Sequence, residues 1–120
     1  MSNCIHSIGR AQTLATAQKR MHEFHVRHLP VLDGGRLLGI VSERDLAMVA
    51  TFPGVDPETM SVDEAMTDDP YAVRPDTELA EVARTMAEKR IGAAVVMEDG
   101  QVLGIFTTVD ACRVLAERLT

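Results

Sequence analysis

Leu38-Gly39-Ile40-Val41-Ser42-Glu43-Arg44-Asp45 decides how this chain is read, because the stretch occurs twice. It returns 65 positions later as Leu103-Gly104-Ile105-Phe106-Thr107-Thr108-Val109-Asp110. In each copy an apolar run of strand character ends on a hydroxyl residue, and residues of helical spacing follow. A carboxylate stands three positions after the hydroxyl. This order puts an alcohol and an acid beside the free N–H groups of a helix start, where a sugar diol and a phosphate can be held. It is also the chemistry of a capping box, in which Ser or Thr and an acid three residues on satisfy each other's backbone N–H. Such a cap alone stabilises a helix by ~1 kcal/mol. Both readings stay open from the residues.

Outward from these stretches the repetition continues. With no gap, positions 14–49 match positions 79–114 at 11 of 36 sites, among them Leu14/Leu79, Met21/Met86, Val31/Val96, Gly35/Gly100 and Asp45/Asp110. Chance gives roughly two or three at ordinary residue usage, so the chain is a tandem duplication.

Each copy has one grammar. Ile8, and Tyr71-Ala72-Val73 in the second copy, read as a short first strand. Pro75-Asp76-Thr77-Glu78 are helix-start signals. Leu79, Val82, Ala83 and Met86 then fall at i, i+3, i+4 and i+7, as Leu14, Ala17 and Met21 do in the first copy,. A hairpin follows, Leu29–Leu32 to Leu37–Val41 and Ala94–Met97 to Val102–Phe106, through Asp33-Gly34-Gly35 and Asp99-Gly100,. Pro30 lacks an N–H, so its strand should lie at an edge or leave that position unpaired. Closing helices are predicted from Ser42 to about Ala50 and from Thr107 to about Leu119. Strand, helix, strand, strand, helix, twice over, is an α/β arrangement of the α+β type, each repeat a small three-stranded sheet packed by two helices. Residues 1–50 form repeat 1, 51–65 a breaker-rich linker with a short helix near Glu58–Met66, and 66–120 repeat 2; the repeats are expected to pack as one compact pair.

Composition sets the bounds. The 120 residues are 46% hydrophobic and 25% charged, ordinary for one globular domain,. No apolar run reaches the ~18 residues needed to cross a bilayer, and the first residues lack a basic start followed by an apolar stretch, so a cytoplasmic location is predicted. A net charge of −6 argues against nucleic acid as the partner,. The charge is uneven: residues 1–50 carry six basic and four acidic side chains, the remainder six and fourteen. A phosphorylated ligand therefore meets friendlier electrostatics in the first half. Cys4 and Cys112 form no CxxC pair and no disulfide framework,.

The ordered set of motifs resembles the cystathionine β-synthase (CBS) domain family, and all 120 residues look like a stand-alone CBS pair. The two stretches quoted above match its G-h-x-[ST]-x-x-D pattern, with h apolar. Arg27-His28-Leu29-Pro30-Val31-Leu32-Asp33 resembles its second-strand signature, and Ala65-Met66-Thr67-Asp68-Asp69-Pro70 the entry to a repeat. The resemblance implies a pseudo-two-fold unit with two related clefts that bind adenosine-containing ligands such as AMP, ADP, ATP or S-adenosylmethionine. It implies Asp45 and Asp110 as acceptors for ribose hydroxyls, and Ser42 and Thr107 near ribose or phosphate. Arg27, His28 and Arg44 are then candidate phosphate contacts, and Ile8, Val73, Pro30 and Ala94 apolar flanks for adenine. A homodimer, an effector protein to receive the signal, and no required cofactor complete the implication. The alternative is a ligand-free dimerisation or scaffold domain in which the hydroxyl–acid pairs only cap helices. The second copy departs from the first: Gly92-Ala93-Ala94-Val95 replaces Arg27-His28-Leu29-Pro30 and Val109 replaces Arg44, so the two sites should not bind equally. Thr being the commoner hydroxyl of the motif favours Thr107 and Asp110 as the occupied pair.

Other constellations carry less. His22, His25 and His28 invite a zinc reading, but His residues without a Cys partner fall short of a structural zinc set, and histidines near a helix C-terminus suit its dipole. The seven methionines fit core filling,. No phosphate loop, dinucleotide fingerprint or nucleophile elbow occurs, and nothing accompanies the two aspartates that would make them an acid–base pair, so no catalysis is expected.

Overall fold

The computed structural model describes residues 6–120. They divide into two compact units, residues 6–70 and 71–120. In the first, β1 (Ile8–Gly9) leads to α1 (Leu14–Phe24), the hairpin β2 (His28–Asp33) and β3 (Arg36–Ser42), and α2 (Glu43–Ala50); a single 3-10 turn (Val62–Glu64) and β4 (Thr67–Asp68) follow. The second contains β5 (Ala72–Val73), α3 (Leu79–Lys89), β6 (Ala93–Glu98), β7 (Gln101–Thr107) and α4 (Thr108–Leu119). The mixed α/β order read from the sequence is the order observed.

The hairpins turn where the glycines allow. Gly34 and Gly35 have φ of 57° and 86°, and Asp99 and Gly100 have 53° and 77°. Two successive positive φ values are the turn whose twist matches right-handed strands. In both copies the first strand pairs parallel to the second, Ile8 beside Val31 and Ala72 beside Val95. The helices form for local reasons. The Thr13 hydroxyl accepts from Thr16 N at 3.1 Å to start α1, and apolar Leu14, Ala17 and Met21 recur on its buried face,. His25 and Arg90 close α1 and α3 in the left-handed region, both at φ 56°,.

Two expectations change in detail. The first sheet has four strands, in the order β1-β2-β3-β4, because Thr67 and Asp68 pair antiparallel with Ile40 and Gly39. Among the described residues the second has three. Gly39 is what lets β4 approach: a Cβ there would stand 2.5 Å from Thr67 O and 2.7 Å from Met66 Sδ,. The helix expected over 58–66 shrinks to the 3-10 turn. Carbonyls just before that turn serve another element: Pro57 O accepts from Ala15 N at 2.9 Å, and Met60 O from Leu14 N at 3.0 Å.

For Pro30 the second of the two alternatives, an unpaired position, holds. Its strand β2 lies inside the sheet, between β1 and β3. In the second copy the corresponding residue, Val95, donates its N–H to Tyr71 O at 2.8 Å. Pro30 gives up that one bond, on the β1 side just before the two-residue pairing begins, and the hairpin with β3 is untouched. Thr77 also differs from a cap. Its hydroxyl accepts from Arg74 N at 3.0 Å, tightening the turn before α3, whose N-cap Glu78 makes no side-chain cap bond.

Candidate ligand site at the strand-to-helix junctions

At the end of β3 the chain passes from strand to helix at Ser42, whose φ and ψ of −107° and 160° are those of an N-cap. Ser42 Oγ accepts from Asp45 N at 3.0 Å, and Asp45 Oδ2 accepts from Ser42 N at 3.1 Å. The second junction repeats this. Thr107 Oγ1 accepts from Asp110 N at 3.2 Å, and Asp110 Oδ2 accepts from Thr107 N at 2.9 Å and from the Thr107 hydroxyl at 3.1 Å. Both are complete capping boxes,.

A second tie holds each junction to its own hairpin. Glu43 N donates to Arg27 O at 2.9 Å, and Thr108 N to Gly92 O at 3.0 Å. The first and third N–H groups of each helix are thereby satisfied. The second, on Arg44 and Val109, meets no acceptor among the described residues and points out of the N-terminal turn, where the helix dipole is positive. Each carboxylate also keeps an oxygen outside the cap. Asp45 Oδ1 has no partner among the described residues, whereas Asp110 Oδ1 faces Arg113 at 3.5 Å. An ionised carboxylate oxygen of this kind accepts hydroxyl donors.

The first junction carries one group that the second lacks. His28 stands directly opposite Ser42 in the β2–β3 ladder, where the second copy has Ala93 opposite Thr107. Its Nδ1 is buried without a hydrogen-bond partner among the described residues. Burial pushes the imidazole pKa below its usual 6.5, and the Asp45 charge partly opposes that,. Arg27 and Arg44 are exposed on either side of the junction in sequence.

The remaining sequence candidates are buried side chains of the two units. Ile8 lies in the core of the first unit, and Val73 and Ala94 in that of the second. Pro30 is fully buried outside those clusters. Val95 is the counterpart of Pro30 at the 65-residue offset. Free N–H groups at these helix starts were expected from the sequence; that they are those of Arg44 and Val109 follows from which donors the caps and the hairpin ties take up. Of the histidine triad, His22 and His25 are exposed, and no group of three or more His, Cys, Asp or Glu side chains gathers among the described residues.

Against known proteins, the model of the CBS domain matches residues 1–50 and 62–117. The chain belongs to the CBS domain family. CBS pairs are regulatory ligand-binding modules. Hypoxic response protein 1 of Mycobacterium tuberculosis is 30% identical over 111 residues, 92% of this chain and 78% of that protein. Its crystal structure, with two coordinated zinc ions, superposes with a TM-score of 0.81 at 26% identity, covering 94% of this chain and 92% of that one. The CBS pair of protein MJ0100, solved in complex with 5′-methylthioadenosine and S-adenosyl-L-methionine, gives a TM-score of 0.87 at 25% identity, covering 98% of this chain and 93% of that one. Among the described residues of this CBS protein, no helix is long and apolar enough to cross a membrane.

Proposed function

We propose that this protein is a sensor of an adenosine-containing nucleotide that signals to a separate effector and performs no catalysis of its own. The observation that carries the reading is the unspent capacity of the capping boxes. At each junction the alcohol and acid fix the helix start, yet a carboxylate oxygen lies outside the cap and one helix N–H has no acceptor among the described residues. A ribose diol suits the former and a phosphate the latter. The MJ0100 pair, which carries adenosine compounds on the same fold, supports that ligand class.

In this reading Asp45 and Asp110 take ribose hydroxyls, with Ser42 and Thr107 beside them, and apolar strand residues flank the base. The first junction is the stronger phosphate site. It alone has His28, Arg27 and Arg44, and Asp45 Oδ1 is free of a guanidinium, unlike Asp110 Oδ1. Exposed apolar side chains on and just after α2, Met48 and Phe52, support a homodimer as the working form,.

The test is a panel of AMP, ADP, ATP, NAD and S-adenosylmethionine, read by thermal shift and calorimetry. A ligand held at 100 times its dissociation constant stabilises the fold by ~2.7 kcal/mol. Asp45→Asn keeps the side-chain shape, so binding is lost while the fold remains. The second reading, a ligand-free scaffold, is favoured by the completeness of both capping boxes. It predicts no response to any member of the panel and only a modest stability loss in Asp45→Asn.

A further inference from the structure

The first strand-to-helix junction holds a titratable ring that the second lacks. His28 opens β2 and pairs across the ladder with Ser42, the N-cap of α2. Opposite positions of an antiparallel pair put both side chains on one face of the sheet, with Cβ atoms about 4.5–5.5 Å apart. The imidazole therefore stands beside the helix start whose Arg44 N–H has no acceptor among the described residues. In the second repeat the methyl group of Ala93 takes this place, opposite Thr107.

The surroundings of the ring keep it neutral. Nδ1 is buried and has no hydrogen-bond partner among the described residues. Protonation makes it a buried N–H donor without an acceptor, which is a costly form. The neutral ring that leaves Nδ1 as a bare lone pair carries its N–H on Nε2, which is not sealed in this way. Burial holds the pKa below 6.5, and Asp45 on α2 is the one charge that opposes it,. The other charged groups on the elements around β2 do not act on the ring: Lys19, His22 and Glu23 on α1, Arg36 on β3, and Glu43 and Arg44 on α2. β1 carries none.

We propose that His28 links occupancy of the first junction to pH: a nucleotide phosphate held there draws one proton onto the imidazole, so that binding is tighter in mildly acid solution. The proposal rests on the nucleotide reading and adds its regulation. A phosphate dianion brings charge and acceptor oxygens to a ring that otherwise meets the field of one carboxylate, and both favour the imidazolium,. Linkage is reciprocal, so what the ring gains in proton affinity on binding, the nucleotide gains in affinity on protonation. Between the pKa of the ligand-free ring, below 6.5, and the higher pKa of the occupied one, affinity falls as the pH rises. The second pKa of a phosphate monoester, about 6, lies under that window, so the ligand's own charge hardly changes across it. The second junction, with Ala93 in place of the ring, takes up no proton.

Calorimetry of the full chain with AMP, ADP and ATP from about pH 6.5 to about pH 8, in two buffers of unlike ionisation heat, counts the protons taken up. The expected result is net uptake of up to one proton per nucleotide at the first junction, and an affinity about five- to tenfold lower at the upper pH. The His28 ring resonances, followed by NMR titration, move to a higher pKa with nucleotide and not with adenosine, which has no phosphate. His28→Gln keeps a side-chain donor but cannot titrate. It binds no more tightly than the unaltered protein at the upper pH, and its affinity no longer varies across the window. Nucleotide binding without proton uptake, with the His28 pKa unmoved, or with an equal rise on adding adenosine, overturns the proposal and leaves the nucleotide reading standing. If none of the three nucleotides binds at any pH, the phosphate contact assigned to this junction falls with it.

Discussion

Gly39→Ala tests why the motif glycine stands where it does. The added methyl would sit 2.5 Å from Thr67 O and 2.7 Å from Met66 Sδ. The sulfur is the end of a flexible side chain and can rotate away. The carbonyl is backbone and must retreat by about 0.9 Å to reach ordinary contact at 3.4 Å, which separates β4 from β3. Two residue pairs are lost, Gly39 with Asp68 and Ile40 with Thr67. At ~0.5–1.5 kcal/mol for the ladder contact of each pair, plus ~1–3 kcal/mol for overpacking at Met66, the expected loss is about 2–6 kcal/mol. Gly9→Ala is the control: its Cβ would meet only Gln12 Cγ at 3.8 Å, and the cost should stay within about 0.5 kcal/mol,. Urea unfolding gives the magnitude, and hydrogen exchange at the amides of residues 39–40 and 67–68 gives the location. A Gly39→Ala protein as stable as Gly9→Ala, with those amides still protected, refutes the close-approach account.

Other outcomes follow from the same geometry. Leu14→Ala should destabilise by ~2–5 kcal/mol, a cavity at a fully buried site, whereas Leu79→Ala at the identical helical position should cost ~1 kcal/mol or less,; equal losses in urea would mean that both faces are covered. Ser42→Ala and Thr107→Ala should each cost ~1 kcal/mol by removing a cap, and thermal unfolding reads this directly,. His28 is held below its usual pKa of 6.5 by burial, so the unfolded chain binds its proton more readily than the folded one. Stability from this group is therefore present above pH 6.5 and declines as the pH falls through the window beneath it, and His28→Gln should flatten that part of the pH–stability curve. His25→Gly and Arg90→Gly remove left-handed backbone strain of ~1–2 kcal/mol each against a glycine entropy cost of ~0.5–1 kcal/mol,. Each should raise the melting temperature by a few degrees; a fall would place the strain elsewhere.

Sequence by itself determined what depends on neighbours a few positions apart. The capping boxes at Ser42/Asp45 and Thr107/Asp110 close over three residues, the hairpin turns over two, and the buried stripe of α1 over one helical period, so each was legible in a single copy and secured by the second. Tertiary structure alone decided where distant backbone went. Nothing in the side chains of Thr67 and Asp68 announces pairing with β3, because a ladder bond is made by groups every residue carries,. The same holds for the carbonyls of Pro57 and Met60 at the head of α1. Burial is the clearest case. Leu14 and Leu79 are one residue type at one position of equivalent helices, yet one is sealed and the other open. What differs is whether the chain returns across it, and only the folded molecule holds that information.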